Sequence, residues 1–188
     1  MKAYFSAALF QKDTFGDYYK RIVAKLEKMG YQVFEDTTKV SLNDAINKSD
    51  SERISYYKNV IKWIDKSDVV VVEASFPSTL SIGHEISVAV EKNKPVIVMY
   101  LDGRDPSFML GLQSEKMLWV KYSDSDLEEQ LEGALGEAKD KSDVRFNFFV
   151  SPKILNYLDW VAQKRMIPRS VFLRNLIERE MKKEKDFK

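Results

Sequence analysis

With 188 residues, 44% hydrophobic and 31% charged, the chain has the composition of a globular protein, which excludes general disorder. It has no cysteine and a single histidine, so disulfides, thiol nucleophiles and multi-histidine metal sites are excluded, and we expect neither a cofactor nor a metal. Eleven Lys or Arg against five Asp or Glu give the segment from Arg145 onward a net charge of +6, with −5 on the rest, which indicates a polyanionic partner for that segment only.

Ala3–Leu9 is the first predicted strand, and the sequence around it, MKAYFSAALF, lacks the apolar core and cleavage site of a signal peptide. Because no run reaches the roughly 18 apolar residues of a membrane span either, we expect a cytoplasmic protein without a membrane partner. A helix follows, with apolar residues at helical spacing over Phe15–Leu26, and Gly30 ends it.

A short strand, Tyr31–Phe34, is predicted before the polar stretch 35–50, which we interpret as a loop over the sheet edge or over a site. Ser49 is a cap candidate for the helix that follows. The apolar stripe of that helix comprises Ile54, Tyr57, Ile61 and Ile64. Its other aromatic residues, Tyr56 and Trp63, are also predicted to lie in the core.

Two continuous apolar runs, Val69–Val72 and Pro95–Tyr100, dominate the middle of the chain. Short β-branched runs without alternation are typical of strands buried on both faces, which indicates a parallel sheet covered by helices. A helix is predicted between them over Gly83–Asn93, ending before a proline. Met117–Val120 is a further short strand, and Asp126–Lys139 is predicted to be the next helix.

Strand and helix alternate through residues 1–140, which predicts a domain with a doubly wound, flavodoxin- or Rossmann-like, parallel α/β sheet. After a charged linker, Arg145–Val150 alternates as a strand does, and two helical segments follow. Residues 145–188 are therefore predicted to form a second, smaller domain. One strand and two short helices bury too little apolar surface to be stable alone, which predicts that this domain dimerises.

Ligands of an open parallel sheet bind beyond the carboxyl ends of its strands. The stretch after Val69–Val72, EASFPSTLSIGHE, brings hydroxyls and backbone amides to that edge. Glu85 is expected in the first turn of the following helix, where an ionised carboxylate could attack the anomeric carbon of a sugar. The helix dipole alone is the commoner reason for an acid in a first turn. Gly83 is expected either to let a ligand approach the backbone or to serve a turn.

Three stretches together resemble the nucleoside 2-deoxyribosyltransferase family. They are AYFSAALF from Ala3, DVVVVEASFPSTLSIGHEISVAVEKNKPVIVMY from Asp68 and PSFML from Pro106, in the family's order. Within the family, the deoxynucleoside 5′-monophosphate N-glycosidases are the branch that the chain resembles. The resemblance covers about residues 1–140 and implies the α/β fold predicted above.

The resemblance implies roles for individual residues. Glu85 matches the acid that attacks C1′ of deoxyribose, and Tyr4 matches the tyrosine that orients this acid. Ser78 resembles a loop serine that meets the substrate's phosphate, across a one-residue insertion. Ser107 matches a serine that reaches into the site of a neighbouring subunit. His84 stands where the family tends to have an aromatic residue, which favours packing or stacking on a ligand.

Two departures from the family pattern bear on function. The family's aspartate that handles the departing base corresponds to Val60 here, and valine cannot transfer a proton. Asp65 and Asp36 are the alternative acids that the sequence offers. Ser and Arg positions that bind phosphate in the family's first loop are Ala8 and Phe10, which argues against a 5′-monophosphate substrate.

The C-terminal stretch Arg145–Met181 resembles the ribbon-helix-helix DNA-binding module, in which two chains pair their strands into a ribbon for the major groove. The resemblance implies that Arg145 and Asn147 face base edges. It also implies that backbone amides near Arg169 and Ser170 hold a phosphate. The alternative is a dimerisation element whose basic charge is only a solvated surface.

These observations predict cleavage or transfer at the N-glycosidic bond of a deoxynucleoside or deoxynucleotide, with no cofactor. The expected partners are a nucleoside or nucleotide ligand and a second copy of the chain, in a homodimer or a higher even oligomer. The alternative is a regulator that senses a nucleotide or binds DNA on a catalytically degenerate version of this fold.

Overall fold

The structure is a computed structural model that describes residues 1–107, 109–112, 114–140 and 148–184. These residues fall into two compact units, one within residues 1–143 and the other within residues 144–188. Among them, no helix combines the length and the apolar character needed to cross a membrane.

The first unit is built on a five-stranded sheet in which every pairing is parallel. The strands are β1 (Lys2–Ala7), β2 (Gln32–Phe34), β3 (Val69–Glu73), β4 (Val96–Leu101) and β5 (Met117–Tyr122). Their spatial order is β2-β1-β3-β4-β5, so the chain winds outward from β1 in both directions. The predicted α/β fold with a parallel sheet is confirmed, as is each of the five predicted strands.

Helices connect these strands. They are α1 (Lys12–Lys28), α2 (Leu42–Ile46), α3 (Asp50–Lys66), α4 (Leu80–Glu91) and α5 (Leu127–Asp140). Gly30 adopts φ +83° after α1, a conformation that suits glycine, and Ser49 caps α3 in a capping box with Glu52. The short helix α2 lies inside the stretch that was predicted as a loop.

Helix α4 begins three residues earlier than predicted. The side chain of Thr79 accepts a hydrogen bond from the backbone N–H of Ile82 at 3.3 Å and so caps the helix. The prediction placed the start at Gly83 because the preceding stretch, rich in Ser, Thr and Pro, resembles a loop. The earlier start moves Glu85 from the first turn to the second.

Side chains of β1 alternate between the two faces of the sheet. Ala3, Phe5 and Ala7 pack in the cluster that includes α1 and α5, whereas Tyr4 packs with α3 and α4. Each fully buried Val, Leu, Ile, Phe or Met side chain in these two layers contributes about 1.5–3 kcal/mol to folding. Residues of β1 at even positions therefore face α4.

The second unit contains α6 (Pro152–Arg165) and α7 (Arg169–Met181). Leu158, Val161 and Phe172 are buried between the two helices. The predicted strand is not present at its described end, residues 148–150, which carry no strand. Its remaining residues, including Arg145 and Asn147, lie outside the described residues, so the ribbon remains a prediction.

Candidate active site

A cavity of about 460 Å³ opens at the carboxyl edge of the sheet, beside β1. Strand β1 lies between β2 and β3, where the winding of the chain reverses direction. This reversal is the place where open α/β sheets bind ligands. The polar and charged side chains that line the cavity include Ser6, Asp36, Lys48, Arg53, Tyr56 and Glu85.

The carboxylate of Glu85 enters this cavity from α4. The buried hydroxyl of Tyr4, on β1, donates a hydrogen bond of 3.0 Å to Glu85 Oε2. Because Glu85 lies in the second turn of α4, the helix dipole alone no longer explains an acid at this position. A contact across 81 residues of sequence instead fixes the direction of the carboxylate.

Ser6 is a second partner of this carboxylate. It lies two residues after Tyr4 on the same face of β1, and its side chain favours the ionised form of Glu85. Burial raises the pKa of Glu85, the side chain of Ser6 and the hydrogen bond from Tyr4 oppose that rise, and the charge of Asp36 adds to it. Sequence analysis missed Ser6, although its alternation with Tyr4 was a signal that could have identified it.

A second carboxylate, Asp36, lines the same cavity two residues after β2 ends. The hydroxyl of Tyr56 donates a hydrogen bond of 3.0 Å to Asp36 Oδ1. Burial raises the pKa of Asp36, while the hydrogen bond from Tyr56 and the charge of Lys48 oppose that rise. The Nζ atom of Lys48 lies 4.7 Å from the centroid of the Tyr56 ring. Tyr56 thus presents its hydroxyl to the cavity, although it was predicted to lie in the core.

The two alternative acids have different surroundings. Asp65 is half exposed on α3 and forms an ion pair of 2.7 Å with Lys92. Val60, which occupies the position of the family's aspartate, is 2% exposed and packs with Ile64 in the apolar cluster beneath α3. Of the two candidates named from sequence, Asp36 is the one that lines the cavity with Glu85.

The remaining predicted substrate-binding residues lie around α4 and beyond β4. Ser78 is partly buried before α4, and no hydrogen-bond partner for its Oγ lies among the described residues. Gly83 faces the side chain of Met109, with room for a Cβ at 3.9 Å. Ser107 is exposed in a turn after β4.

His84 is exposed and stacks on Tyr57, with ring centroids 5.7 Å apart. The hydroxyl of Tyr57 also lies 3.1 Å from His84 Nε2. The prediction that Tyr57 belongs to the core is wrong, because 48% of the residue is exposed. Apolar spacing along a helix shows only which residues lie on the same face of that helix. Tyr57 lies on a part of this face of α3 that extends past the sheet.

The first loop departs from the family pattern as the sequence indicated. Ala8 is buried, and Phe10 lines the cavity with an apolar ring. Positive charge enters instead from Lys48 and Arg53, on either side of the start of α3. Sequence analysis missed both cations, since the stretch that carries Lys48 has no clear periodicity.

In the second unit, the two predicted phosphate-binding residues open α7. Arg169 forms an ion pair with Asp159 of α6, and Ser170 is exposed. The predicted base-reading residues Arg145 and Asn147 lie beyond the part of the chain that the structure describes. DNA binding therefore stays a prediction.

Known proteins resemble the first unit in sequence. A 5-hydroxymethyl-dUMP N-hydrolase from Danio rerio is 31% identical over 118 residues, which cover 61% of this chain and 81% of that protein. A putative 2′-deoxynucleoside 5′-phosphate N-hydrolase 1 from Syntrophotalea carbinolica is 27% identical over 140 residues, 73% of this chain and 96% of that protein. Among solved structures, a CMP N-glycosidase from Clostridium botulinum is 16% identical, with a TM-score of 0.48, and covers 70% of this chain and 98% of that one.

The sequence pattern of one family, nucleoside 2-deoxyribosyltransferase, matches residues 3–142. The matched range includes all five strands and both members of the Tyr4–Glu85 pair, and it ends before the second unit. The resemblance found in the sequence is therefore confirmed for the first unit: the chain belongs to the nucleoside 2-deoxyribosyltransferase family.

Proposed function

We propose that the first unit hydrolyses the N-glycosidic bond of a 2′-deoxynucleoside or its 5′-monophosphate, with Glu85 as the nucleophile. The observation that carries this proposal is the buried hydrogen bond of 3.0 Å from Tyr4 to Glu85 at the edge of the cavity. Relatives that are named as N-hydrolases support hydrolysis rather than transfer of the sugar to a second base.

The reaction proceeds in two displacements. An oxygen of the Glu85 carboxylate forms a bond to C1′ as the C1′–N bond breaks, and the electron pair of that bond leaves with the base. Water then attacks C1′ and the C1′–O bond to Glu85 breaks, so that the free carboxylate returns. The proton that the water loses balances the negative charge that the base carried away. Tyr4 holds the carboxylate in line for attack by its hydrogen bond from β1, and Ser6 favours the ionised form of that carboxylate.

Different features of the cavity favour a nucleoside and a nucleotide. Ala8 and Phe10 stand where the family has side chains that bind phosphate, which favours a nucleoside. Lys48 and Arg53 add positive charge to the cavity, which favours a nucleotide. The relatives are named for 5′-phosphate substrates. Both substrate forms therefore belong in the test.

Release of free base, followed by chromatography over a panel of deoxynucleosides and their monophosphates, tests the proposal. Glu85→Ala is expected to abolish release. Glu91→Ala is the matched control, because Glu91 is an exposed glutamate on the same helix, and we expect it to leave release unchanged. Undiminished release by the Glu85 variant would exclude this nucleophile. Addition of a second free base distinguishes transfer from hydrolysis by the appearance of a new nucleoside.

A second function is proposed for the second unit: pairing with another copy of the chain, with DNA as the ligand of the pair. Its described core is small, and large aromatic and aliphatic side chains stay exposed on both helices. Tyr157 and Trp160 of α6 are 52% and 54% exposed, and Ile177 of α7 is 58% exposed. A basic net charge accompanies this apolar surface.

Sedimentation of the full chain and a fluorescence polarisation titration with duplex DNA test this second function. Ile177→Asp is expected to shift the oligomer towards smaller species, and Asn175→Asp, which adds the same charge at an exposed position of the same helix, is the matched control. Binding at low salt that disappears steeply with added salt, without sequence preference, would limit the interaction to phosphates. If no binding is measured at either low or raised salt concentration, DNA is excluded as the ligand and dimerisation remains the proposed function of the second unit.

A further inference from the structure

We infer that Asp36, oriented by Tyr56, is the acid that protonates the departing base and then accepts a proton from the attacking water. This inference rests on the proposed function, because it concerns the same cavity and the same bond. It assigns the task that Val60 cannot perform to a residue on a different element of the fold.

The placement of Asp36 is the first support. Its carboxylate lines the cavity that Glu85 also lines, but it arrives from the segment after β2 rather than from a helix that packs on the sheet. The two acids therefore line one cavity from different elements of the fold. A sugar bound against Glu85 leaves its base in the remainder of the cavity, where Asp36 lies.

An aromatic cluster links the two tyrosines that hydrogen-bond Glu85 and Asp36. Trp63 packs against Tyr4 with ring centroids 6.1 Å apart and against Tyr56 with centroids 6.4 Å apart. Tyr4 donates its hydrogen bond to Glu85, and Tyr56 donates its hydrogen bond to Asp36, each at 3.0 Å. Two tyrosines that share one tryptophan thus orient two carboxylates towards one cavity.

The charges around Asp36 suit a group that gains and loses a proton. Tyr56 and Lys48 favour its ionised form, whereas burial and the negative charge of Glu35 favour its protonated form. Burial is the largest of these effects and raises the pKa of Asp36 above its ordinary value. A carboxyl with a raised pKa is a better acid catalyst near neutral pH than an unperturbed one.

The protons balance over the two displacements. In the first, the electron pair of the C1′–N bond goes to the base and the proton of Asp36 bonds to that base, leaving Asp36 ionised. In the second, water attacks C1′, the bond to Glu85 breaks, and a proton of the water returns to Asp36. No other reactant is needed.

The test compares Asp36→Asn on leaving bases of different basicity. Uracil, 5-fluorouracil and 5-nitrouracil form a series in which the base needs progressively less protonation to leave. Guanine and 7-methylguanine form the equivalent pair if the protein prefers purines. The loss in kcat/KM is expected to be roughly 100-fold or more for the poorest leaving group and a few-fold, about 3, for the best one.

Asp65→Asn is the matched control, because Asp65 is an exposed carboxylate on α3 that pairs with Lys92. It is expected to leave kcat/KM unchanged along the whole series. A loss in Asp36→Asn that is equal for every leaving base would overturn the assignment, because a merely structural defect ignores leaving-group basicity. If the unsubstituted protein releases no base from any substrate, the proposed function and this inference both fail.

Tyr56 acts as a positioning residue in this scheme, and Tyr56→Phe gives a second readout. Its hydrogen bond favours the ionised form of Asp36, so its removal is expected to move the alkaline limb of the kcat/KM profile to higher pH. Asp36→Asn is expected to abolish that limb. An alkaline limb that is unchanged in both variants would exclude Asp36 as its source. The other ionisable groups that face Asp36 are Lys48, Arg53, Glu35 and Glu85, which both variants retain.

Discussion

Two of the buried glutamates at the carboxyl edge of the sheet, Glu73 and Glu85, lie on opposite faces. Glu73 ends β3 and is 1% exposed; its carboxylate accepts hydrogen bonds from Ser75 and from Tyr122, the latter at 2.9 Å. Glu85 on α4 is 9% exposed and also accepts a hydrogen bond from a buried tyrosine. Burial raises the pKa of both carboxyls, that of Glu73 to about 7.

The difference lies in what each carboxylate faces. Tyr122 belongs to the apolar layer of α1 and α5, so the Glu73 carboxylate is sealed within packed side chains. Glu85 instead lines a cavity of about 460 Å³. A perturbed pKa marks both residues, but access to a ligand marks only Glu85. Substitutions at the two glutamates and at their tyrosine partners can therefore separate catalysis from stability.

The largest effect is expected from Glu85→Gln, which keeps the size of the side chain but removes the carboxylate proposed as the nucleophile. We expect kcat to fall by roughly 1000-fold or more, as for other covalent nucleophiles. Glu73→Gln is the paired control, with activity per folded molecule expected to stay within about twofold. The comparison breaks down if the Glu73 variant loses activity as severely as the Glu85 variant.

The second effect concerns stability. The pKa of Glu73 is raised in the fold from 4.5 to about 7, so the folded state holds its proton more tightly than the unfolded state. Its contribution is full below pH 4.5 and is lost as the pH rises to about 7, an amplitude of about 3 kcal/mol. Urea unfolding of Glu73→Gln is expected to show a correspondingly smaller fall in stability over that interval. A fall identical to that of the unsubstituted protein would place the titration elsewhere.

The third effect comes from Tyr4→Phe, which removes the hydrogen bond to Glu85 and keeps the ring in its layer. We expect kcat to fall by roughly 10- to 50-fold, with a smaller change in KM, because the carboxylate loses its orientation. The acid limb of the pH profile should move to higher pH, since the lost hydrogen bond opposed the rise in the pKa of Glu85. Kinetics at saturating substrate across pH 5–8 would reveal a purely structural change as a loss without any such shift.

The smallest effect is expected from Tyr122→Phe, the equivalent change on the other face. The loss of one buried hydrogen bond to Glu73 is expected to cost about 1–2 kcal/mol in the free energy of unfolding. Catalysis by the folded fraction should not change. A reduced kcat in this variant, with stability unchanged, would show that a change at Glu73 affects Glu85 across the sheet.

Sequence patterns predicted the sheet well because buried parallel strands differ sharply from their surroundings. The apolar runs at Val69–Val72 and Pro95–Tyr100 had no competing interpretation. The family resemblance also named Tyr4 and Glu85, which the structure joins by a hydrogen bond, while their catalytic roles stay a prediction. Ser6 was missed, although alternation along β1 predicts that it shares a face with Tyr4.

Other parts of the site lay beyond these patterns. The hydrogen bond between Tyr56 and Asp36 joins residues 20 positions apart on a helix and an irregular segment, and no periodicity predicts it. An aromatic residue on an apolar stripe has the same pattern whether its hydroxyl is buried or faces a cavity. The start of α4 was misplaced because its cap, Thr79, follows a stretch whose composition is typical of loops.

The walls of the cavity come from two kinds of structure. Ser6 and Ala7 lie on β1, which pairs with a strand on each side, whereas Val40, Leu42 and Lys48 belong to the segment 35–50 outside the sheet. Substitutions in that segment can reshape the space proposed for the base without disturbing β1, whose Tyr4 hydrogen-bonds Glu85. In the proposed function, the chemistry therefore depends on the sheet and the choice of base depends on the segment outside it, so a substitution can change one without the other.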